Sequence, residues 1–264
     1  MKFHIVTRCT RQHNLKKLKA NIFQSLSEKG IEREWHIVFD TKILKDVDAE
    51  LLPHFSDIHT NFYFNSSDGW GLTHLNEIIE GFDPGWVYHL DDDNLLTDNF
   101  YSTLIKEIRK PKNSEALVFV FDQQVDGKDF TGLDVREAKP ENMKVRHVDL
   151  AQWLVHTKVH NSFNLKYGTG YTADGEFIEA TYNNELIQPH FRFISKILSN
   201  YNFLEKKAQP RVPKVLYIGN DKPELKSKKW LDYEDDSLDV KYVKDDSGIE
   251  EHLASFKPDI ILSS

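Results

Sequence analysis

Three consecutive carboxylates, Asp91, Asp92 and Asp93 in "GWVYHLDDDNLLTDNF", follow directly on an apolar, aromatic segment. Carboxylates about 4 Å apart repel by roughly 1 kcal/mol in water and roughly 4 kcal/mol near a protein surface. A solvated loop or a helix N-cap accounts for one aspartate, as at Asp98 in "LTDNF", but gains nothing from a third. A hard divalent cation gains from all three, because it accepts carboxylate oxygens and itself binds phosphate oxygens. The triplet is read as one end of a site for a metal ion and a diphosphate.

The elements that must position the triplet are legible around it. "FHIVT" reads as a short buried strand, and "NLKKLKANIFQSLSEKG" carries helical spacing at Leu15, Leu18, Ile22 and Leu26 before stopping at Gly30. "EWHIVFD" and "IHTNFYFN" read as strands, "LTHLNEIIEGF" as a helix, "GWVYHL" as the strand that delivers the aspartates, and "DNFYSTLIKEIRK" as the helix after it. This alternation predicts an α/β fold with a largely parallel sheet flanked by helices. Ligands in such sheets bind beyond the C-terminal strand ends, where strand order reverses, and the triplet falls there.

Beyond residue 115 the pattern changes. "EALVFVFDQQ" and "KVRHVDLAQWLVHT" read as added antiparallel or mixed strands, while "GEFIEATYNNE" and "PHFRFISKILSNY" resume helical character. "EKKAQPRVPK" reads as a linker, and the segments "KVLYIG", "DVKYV", "GIEEHLASF" and "DIILSS" read as the first units of another α/β domain. The expected division is 1–208 for the main domain and 209–264 for the linker and a second domain cut short.

Bulk properties narrow the function. The 264 residues are 39% hydrophobic and 29% charged, enough apolar matter for a core. A net charge of −8 argues against a general nucleic-acid or anionic-membrane surface, which would select a basic face. The single cysteine, Cys9, excludes an internal disulfide framework and any cysteine-based zinc site, and suits a reducing cytoplasm. "MKFHIVTRCT" lacks the regions of a signal peptide, and no apolar run approaches the length of a membrane span.

Asp-x-Asp at the end of an apolar strand resembles the motif of the GT-A fold glycosyltransferases. "FHIVTRCTR" resembles their first strand and nucleotide loop, and Asp40 ends the second strand, where many of them set an aspartate against the base. "GWGLTHLNEIIE" resembles the helix that precedes their motif. "DDDN" is similar to the β-1,3-glucuronosyltransferases, and "GYTADGEFI" to the acceptor-side segment of family 2 enzymes. The resemblance covers roughly residues 1–200 and implies a mixed sheet, a UDP-sugar donor, an acceptor with a free hydroxyl such as a saccharide, and Mn2+ or Mg2+.

Residue by residue, it implies that Asp93 ligates the metal, that Asp91 and Asp92 meet the ribose or reach the metal through water, and that Thr7, Arg8 and Asp40 surround the base and ribose. Inversion at the sugar needs no protein nucleophile but does need a general base. In "GTGYTADGEFIE" the candidates are Asp174, Glu176 and Glu179. Asp174 is preferred because it follows a Gly-rich run at the position of the family 2 base, although it also suits an N-cap. Glu176 corresponds to the helix-opening glutamate of the glucuronosyltransferases. His190 in "IQPHFRF" is a candidate metal ligand, and Arg192 a candidate phosphate contact. Tyr171, Trp70 and Trp153 are candidates for stacking on a sugar.

Two other classes compete. A sugar-phosphate nucleotidyltransferase shares the nucleotide-binding unit but has a Gly-rich basic loop after its first strand, and "VTRCTRQHNL" contains no glycine. A non-catalytic sugar-binding domain has no need of carboxylates at both the metal and base positions. A metal-dependent phosphohydrolase would want further Asp/His clusters at other strand ends, and none is legible.

Overall fold

The computed structural model describes residues 1–23, 30–41, 60–65, 72–125, 134–163, 165–168 and 172–204, with three further strands at 214–218, 239–243 and 260–263. By chain order the strands are β1 (Lys2–Cys9), β2 (Glu32–Asp40), β3 (Thr60–Asn65), β4 (Trp86–His89), β5 (Leu95–Leu96), β6 (Val118–Val125), β7 (Val135–Arg136), β8 (Trp153–His156) and β9 (Phe191–Tyr201). The helices are α1 (Leu15–Phe23), α2 (Leu72–Glu80), α3 (Phe100–Ile108), α4 (Thr157–Phe163) and α5 (Ala173–Tyr182). The chain divides into two compact units, Met1–Lys207 and Ala208–Ser264.

In the first unit the described strands form one mixed sheet in the order β3-β2-β1-β4-β8-β6-β9-β5, with β7 paired to β6. β1 is parallel to both β2 and β4, and strand order reverses between β1 and β4. β8 is antiparallel to β4 and β6, which makes the sheet mixed. The expected α/β architecture, a mixed sheet flanked by helices, is the one observed.

Side-chain alternation along β1 and β2 builds two cores, one on each face of the sheet. Phe3, Ile5 and Cys9 join Trp35, Ile37 and Phe39 on one face, covered by Leu15, Leu18 and Ile22 of α1 and Phe100 and Leu104 of α3. Val6, Val38 and Val87 lie on the other, covered by Leu75 and Ile79 of α2 and Phe177 and Ile178 of α5. Each fully buried side chain of this size contributes about 1.5–3 kcal/mol of transfer free energy. Gly30, just before β2, has φ +81°, a conformation that disfavours any residue with a Cβ.

Two expectations are corrected. "PHFRFISKILSNY" is not a helix but the eleven-residue strand β9, parallel to β6 and antiparallel to β5. Two register shifts opposite Phe121 to Gln123 insert extra residues into β9, so buried Phe191, Ile194 and Leu198 fall at spacings of three and four. Those bulges imitate helical periodicity. In "KVRHVDLAQWLVHT" only Trp153–His156 is strand; Leu150–Gln152 before it is a short 3-10 helix closed by an Asp149/Gln152 capping box.

In the second unit β10 (Lys214–Ile218), β11 (Asp239–Val243) and β12 (Ile260–Ser263) form a parallel sheet in the order β11-β10-β12. The helix expected at "GIEEHLASF" and the linker segment 209–213 lie outside the described residues. No helix among the described residues is long and apolar enough to cross a membrane.

Candidate functional site

A cleft of about 380 Å³, within the range of small-molecule sites, opens at the C-terminal ends of β1, β2 and β4. Parallel strands bring their last residues to one edge, so Arg8, Asp40 and the triplet after β4 converge although they are separated by up to 85 positions in sequence (93 − 8 = 85). The described lining holds six carboxylates, Asp40, Asp91, Asp92, Asp93, Asp149 and Asp174, against four guanidinium groups, Arg8, Arg11, Arg136 and Arg146.

The three aspartates have different fates. Asp91 accepts from Nε and Nη2 of Arg8 at 2.7–2.9 Å in a two-pronged pair. Asp92 is 1% exposed: its Oδ2 accepts from the amides of Thr10 at 2.5 Å and Arg11 at 2.6 Å and from the Thr10 hydroxyl at 3.0 Å. Its Oδ1 pairs with Arg11 Nη1, and its backbone carbonyl accepts from Asn14 Nδ2 at 2.9 Å. Asp92 thus fastens the loop between β1 and α1 to the end of β4. Asp93 shares Arg11 with Asp92, at 3.3 Å. Burial first, and the neighbouring Asp91 second, push its carboxyl up to about 6. It is the member of the triplet whose negative charge the protein compensates least.

The opposite wall comes from α5 and the segment before β8. Asp174 sits in the first turn of α5, where its Oδ1 accepts from the Gly175 amide at 2.8 Å. Burial raises its pKa, with the Gly175 hydrogen bond and Arg8 pulling the other way. Burial likewise raises Asp149, opposed by Arg136 at 3.6 Å. Arg136 also donates to Gln123 Oε1 at 2.9 Å and lies 4.4 Å over the ring of Tyr201, the last residue of β9.

Of the sequence candidates, Arg8, Asp40, Asp91, Asp92, Asp93 and Asp174 line one cleft. Thr7 does not: alternation along β1 turns it to the opposite face, fully buried, where its hydroxyl accepts from Trp35 Nε1 at 2.9 Å. Glu176 is exposed, outside the cleft lining, and accepts from the Thr172 hydroxyl at 2.6 Å. His190 precedes β9, whereas the cleft receives the other end of that strand, about 23 Å away along the seven residue steps of its partner β6 from Val118 to Val125. That distance removes His190 from the site. Arg192 donates to Asn113 Oδ1 and to the carbonyls of Pro189 and Phe191, an internal clip at the same remote end. Trp153 is a core residue, 5.3 Å from the Phe177 ring centroid. Tyr171 and Trp70 lie outside the described residues.

Thr10, Arg11, Arg136, Asp149 and Tyr201 were not singled out from the sequence. Asp149 had a readable signal, the Asp-x-x-Gln capping box. Arg136 and Tyr201 have none, because sheet pairing alone brings them together.

No protein-family model matches the sequence, and no curated protein matches it. Solved structures do share its architecture. Residues 1–349 of S. aureus TarS, in complex with UDP-GlcNAc, superpose with a TM-score of 0.59 at 13% identity over 79% of this chain and 60% of that one. S. aureus TarS in a longer form gives 0.55 at 13% identity, over 76% of this chain and 36% of that one. The mannosyltransferase PcManGT from Pyrobaculum calidifontis, in complex with GDP-Man and Mn2+, gives 0.52 at 12% identity, over 78% and 57%. This chain therefore spans at most 60% of the length of these structures. The shared architecture is the GT-A-like α/β fold, a mixed, curled sheet flanked by helices.

Proposed function

We propose that the chain is a metal-dependent, inverting glycosyltransferase that moves a hexose-type sugar from a UDP-sugar to an acceptor hydroxyl, as on a saccharide. Residues 1–208 form the catalytic domain in this reading, and 209–264 the linker and the start of a second α/β domain. The observation that carries it is Asp93, a buried and undercompensated carboxylate at the β1/β4 switch point, facing a cleft whose other wall presents Asp174. The neighbours agree with it, since one was solved with UDP-GlcNAc and another with GDP-Man and Mn2+.

The donor set fits Mn2+ or Mg2+: hard carboxylate oxygens, and negative charge in excess of the lining guanidinium groups. When bound, such an ion offsets the charge that grows on a departing nucleoside diphosphate. Asp93 would hold it, while Arg8 and Arg11 keep Asp91 and Asp92 in place. Asp40 and Arg8 face the base and ribose. Asp174 takes the proton of the acceptor hydroxyl on Oδ2, because Oδ1 is already held by the Gly175 amide. Its raised pKa, caused by burial, moves it toward the range in which a base both stays ionised and accepts a proton effectively.

Calorimetric titration of UDP in the presence of Mn2+ tests the reading. Wild-type protein binds UDP with Mn2+ and much more weakly with a chelator, and Asp93→Ala abolishes the Mn2+-dependent part. Equal affinity in the wild type and the variant would remove Asp93 from the site.

A further inference from the structure

His4 on β1 and Glu34 and His36 on β2 meet at the N-terminal ends of the two strands, on the same sheet face as Arg8 and Asp40 but at the opposite end. Register causes the meeting: His4 pairs with Glu34 and Val6 with His36, so alternation directs all three side chains to one side. Arg8 lies four residues further along β1 than His4, about 13 Å of strand, so this group is separate from the cleft.

The contact distances are those of a coordination polyhedron. His4 Nδ1 and His36 Nε2 are 3.2 Å apart, His4 Nδ1 and Glu34 Oε2 3.3 Å, and His36 Nε2 and Glu34 Oε2 3.6 Å. Three ligands on a tetrahedral ion with bonds of about 2.0–2.1 Å stand about 3.3 Å apart.

The outer atoms of each group are held as well. His4 Nε2 faces the Asp83 carbonyl at 3.0 Å, which assigns its proton there and leaves Nδ1 as a lone pair. His36 Nδ1 faces the Tyr63 hydroxyl at 3.3 Å and Asn61 Nδ2 at 3.5 Å. Glu34 Oε1 accepts from Lys2 Nζ at 2.8 Å, so Oε2 is the oxygen turned to the rings. With the His36 proton on Nδ1, toward the Tyr63 hydroxyl, three acceptors converge on one point. A single proton on His36 Nε2 satisfies one contact and leaves Glu34 Oε2 against the His4 lone pair, whereas a cation satisfies all three.

The surroundings are shaped for it. The ring of Phe82 stacks on His4 at 4.4 Å and lies tilted against His36 at 4.1 Å, and both histidines are buried. Burial favours their neutral, ligating form. A Cβ at Gly85 would lie 2.9 Å from the Lys2 carbonyl oxygen and 3.1 Å from His4 Nε2, so the missing side chain there makes room for the ring. The Glu34 side chain is 20% exposed, which leaves the fourth position open to water.

We infer that His4, Glu34 and His36 form a site for a borderline divalent transition ion of the Zn2+ class, chemically distinct from the hard-cation site proposed in the cleft. Two imidazoles and one carboxylate suit Zn2+ and do not suit Mg2+. Bound there, the ion fastens β1 to β2 and, through His4 and the Asp83 carbonyl, to the segment preceding β4. This inference does not depend on the glycosyltransferase reading.

The test uses the full chain, stripped with a chelator and titrated with Co2+ alone. The wild type takes up one Co2+ with the intense visible absorption of four-coordinate cobalt, and Zn2+ displaces it. Zn2+ at about 100 times its Kd raises the melting temperature by about 5–10 °C. Glu34→Gln and His36→Gln weaken Co2+ at least about 10- to 100-fold, the amount that even an outer-shell partner is worth. Asp93→Ala leaves the cobalt spectrum intact. Because His36 is buried, the wild-type spectrum and the partly exposed Glu34 decide the matter without relying on that variant. Absence of four-coordinate absorption, indifference to Glu34→Gln, or loss of the spectrum in Asp93→Ala would each overturn the assignment.

Discussion

The two ends of β1 and β2 turn polar residues to the same face, two at the C-terminal end and three at the N-terminal end, and they gather opposite chemistry. At the C-terminal end Arg8 and Asp40 meet the triplet after β4, a set of hard carboxylates interleaved with guanidinium groups. At the N-terminal end His4, Glu34 and His36 close on one another under Phe82, a compact set with two imidazoles. Val6 and Val38 separate them as part of the apolar core. The first end lines a cleft of about 380 Å³, within the range of small-molecule sites. At the second end the Phe82 ring covers both imidazoles. One pair of strands can hold two unlike sites because alternation fixes the face, while position along the strand fixes the neighbours.

The sharpest way to test the cleft half of this comparison is to remove the proposed base, Asp174. Asp174→Asn keeps the shape and the first-turn position but cannot accept a proton, so kcat falls by about 10²- to 10⁴-fold while Kd for UDP stays nearly unchanged. Single-turnover kinetics beside UDP titration separates the two quantities. Near wild-type turnover would place the base elsewhere and leave the cleft a binding site only.

A smaller effect distinguishes the charge logic of the two ends. The folded state raises Asp93 to about 6, above its ordinary carboxylate value. Between those values the folded chain holds a proton that the unfolded chain has released, so ionised Asp93 costs stability above about pH 6 and the cost disappears as pH falls towards 4. Asp93→Asn in chelator is therefore more stable than the wild type at pH 7, by roughly 2–3 kcal/mol, and the advantage shrinks on acidification from 6 to 4. Denaturant melts at several pH values measure it. A destabilised variant at pH 7 would mean that the Arg11 contact outweighs burial and repulsion at Asp93.

The smallest expected change is at Glu176. Its side chain is exposed and outside the cleft lining, so Glu176→Gln changes stability by less than about 0.5 kcal/mol and leaves kcat close to the wild-type value. A large loss of kcat here, with Asp174→Asn still active, would exchange the roles of the two carboxylates and redraw the wall of the cleft.

Much of the cleft was legible because its parts are local in sequence. A run of three aspartates after an apolar strand, a carboxylate closing "EWHIVFD", and Asp174 opening a helix after a Gly-rich run each announce themselves within a few residues. Thr7 and His190 were misplaced for two different reasons. Thr7 is adjacent to Arg8, but one residue along a strand is the opposite face. His190 follows α5 in sequence, but the segment after it is a strand that runs the whole length of the sheet before reaching the cleft.

The residues by themselves determined the α/β alternation, the strand that ends in carboxylates and the edge of the sheet where ligands collect, because each follows from hydrophobic period and turn chemistry over short stretches. Tertiary structure alone decided which aspartates the protein uses for itself and which it leaves short of charge, since Arg8, Thr10 and Arg11 reach Asp91 and Asp92 from about 80 residues away (91 − 8 = 83; 92 − 11 = 81). It also decided β9, whose bulges imitate a helix, and the meeting of His4 with Glu34 and His36. These are products of strand register, a property of two segments at once that no single stretch of sequence carries.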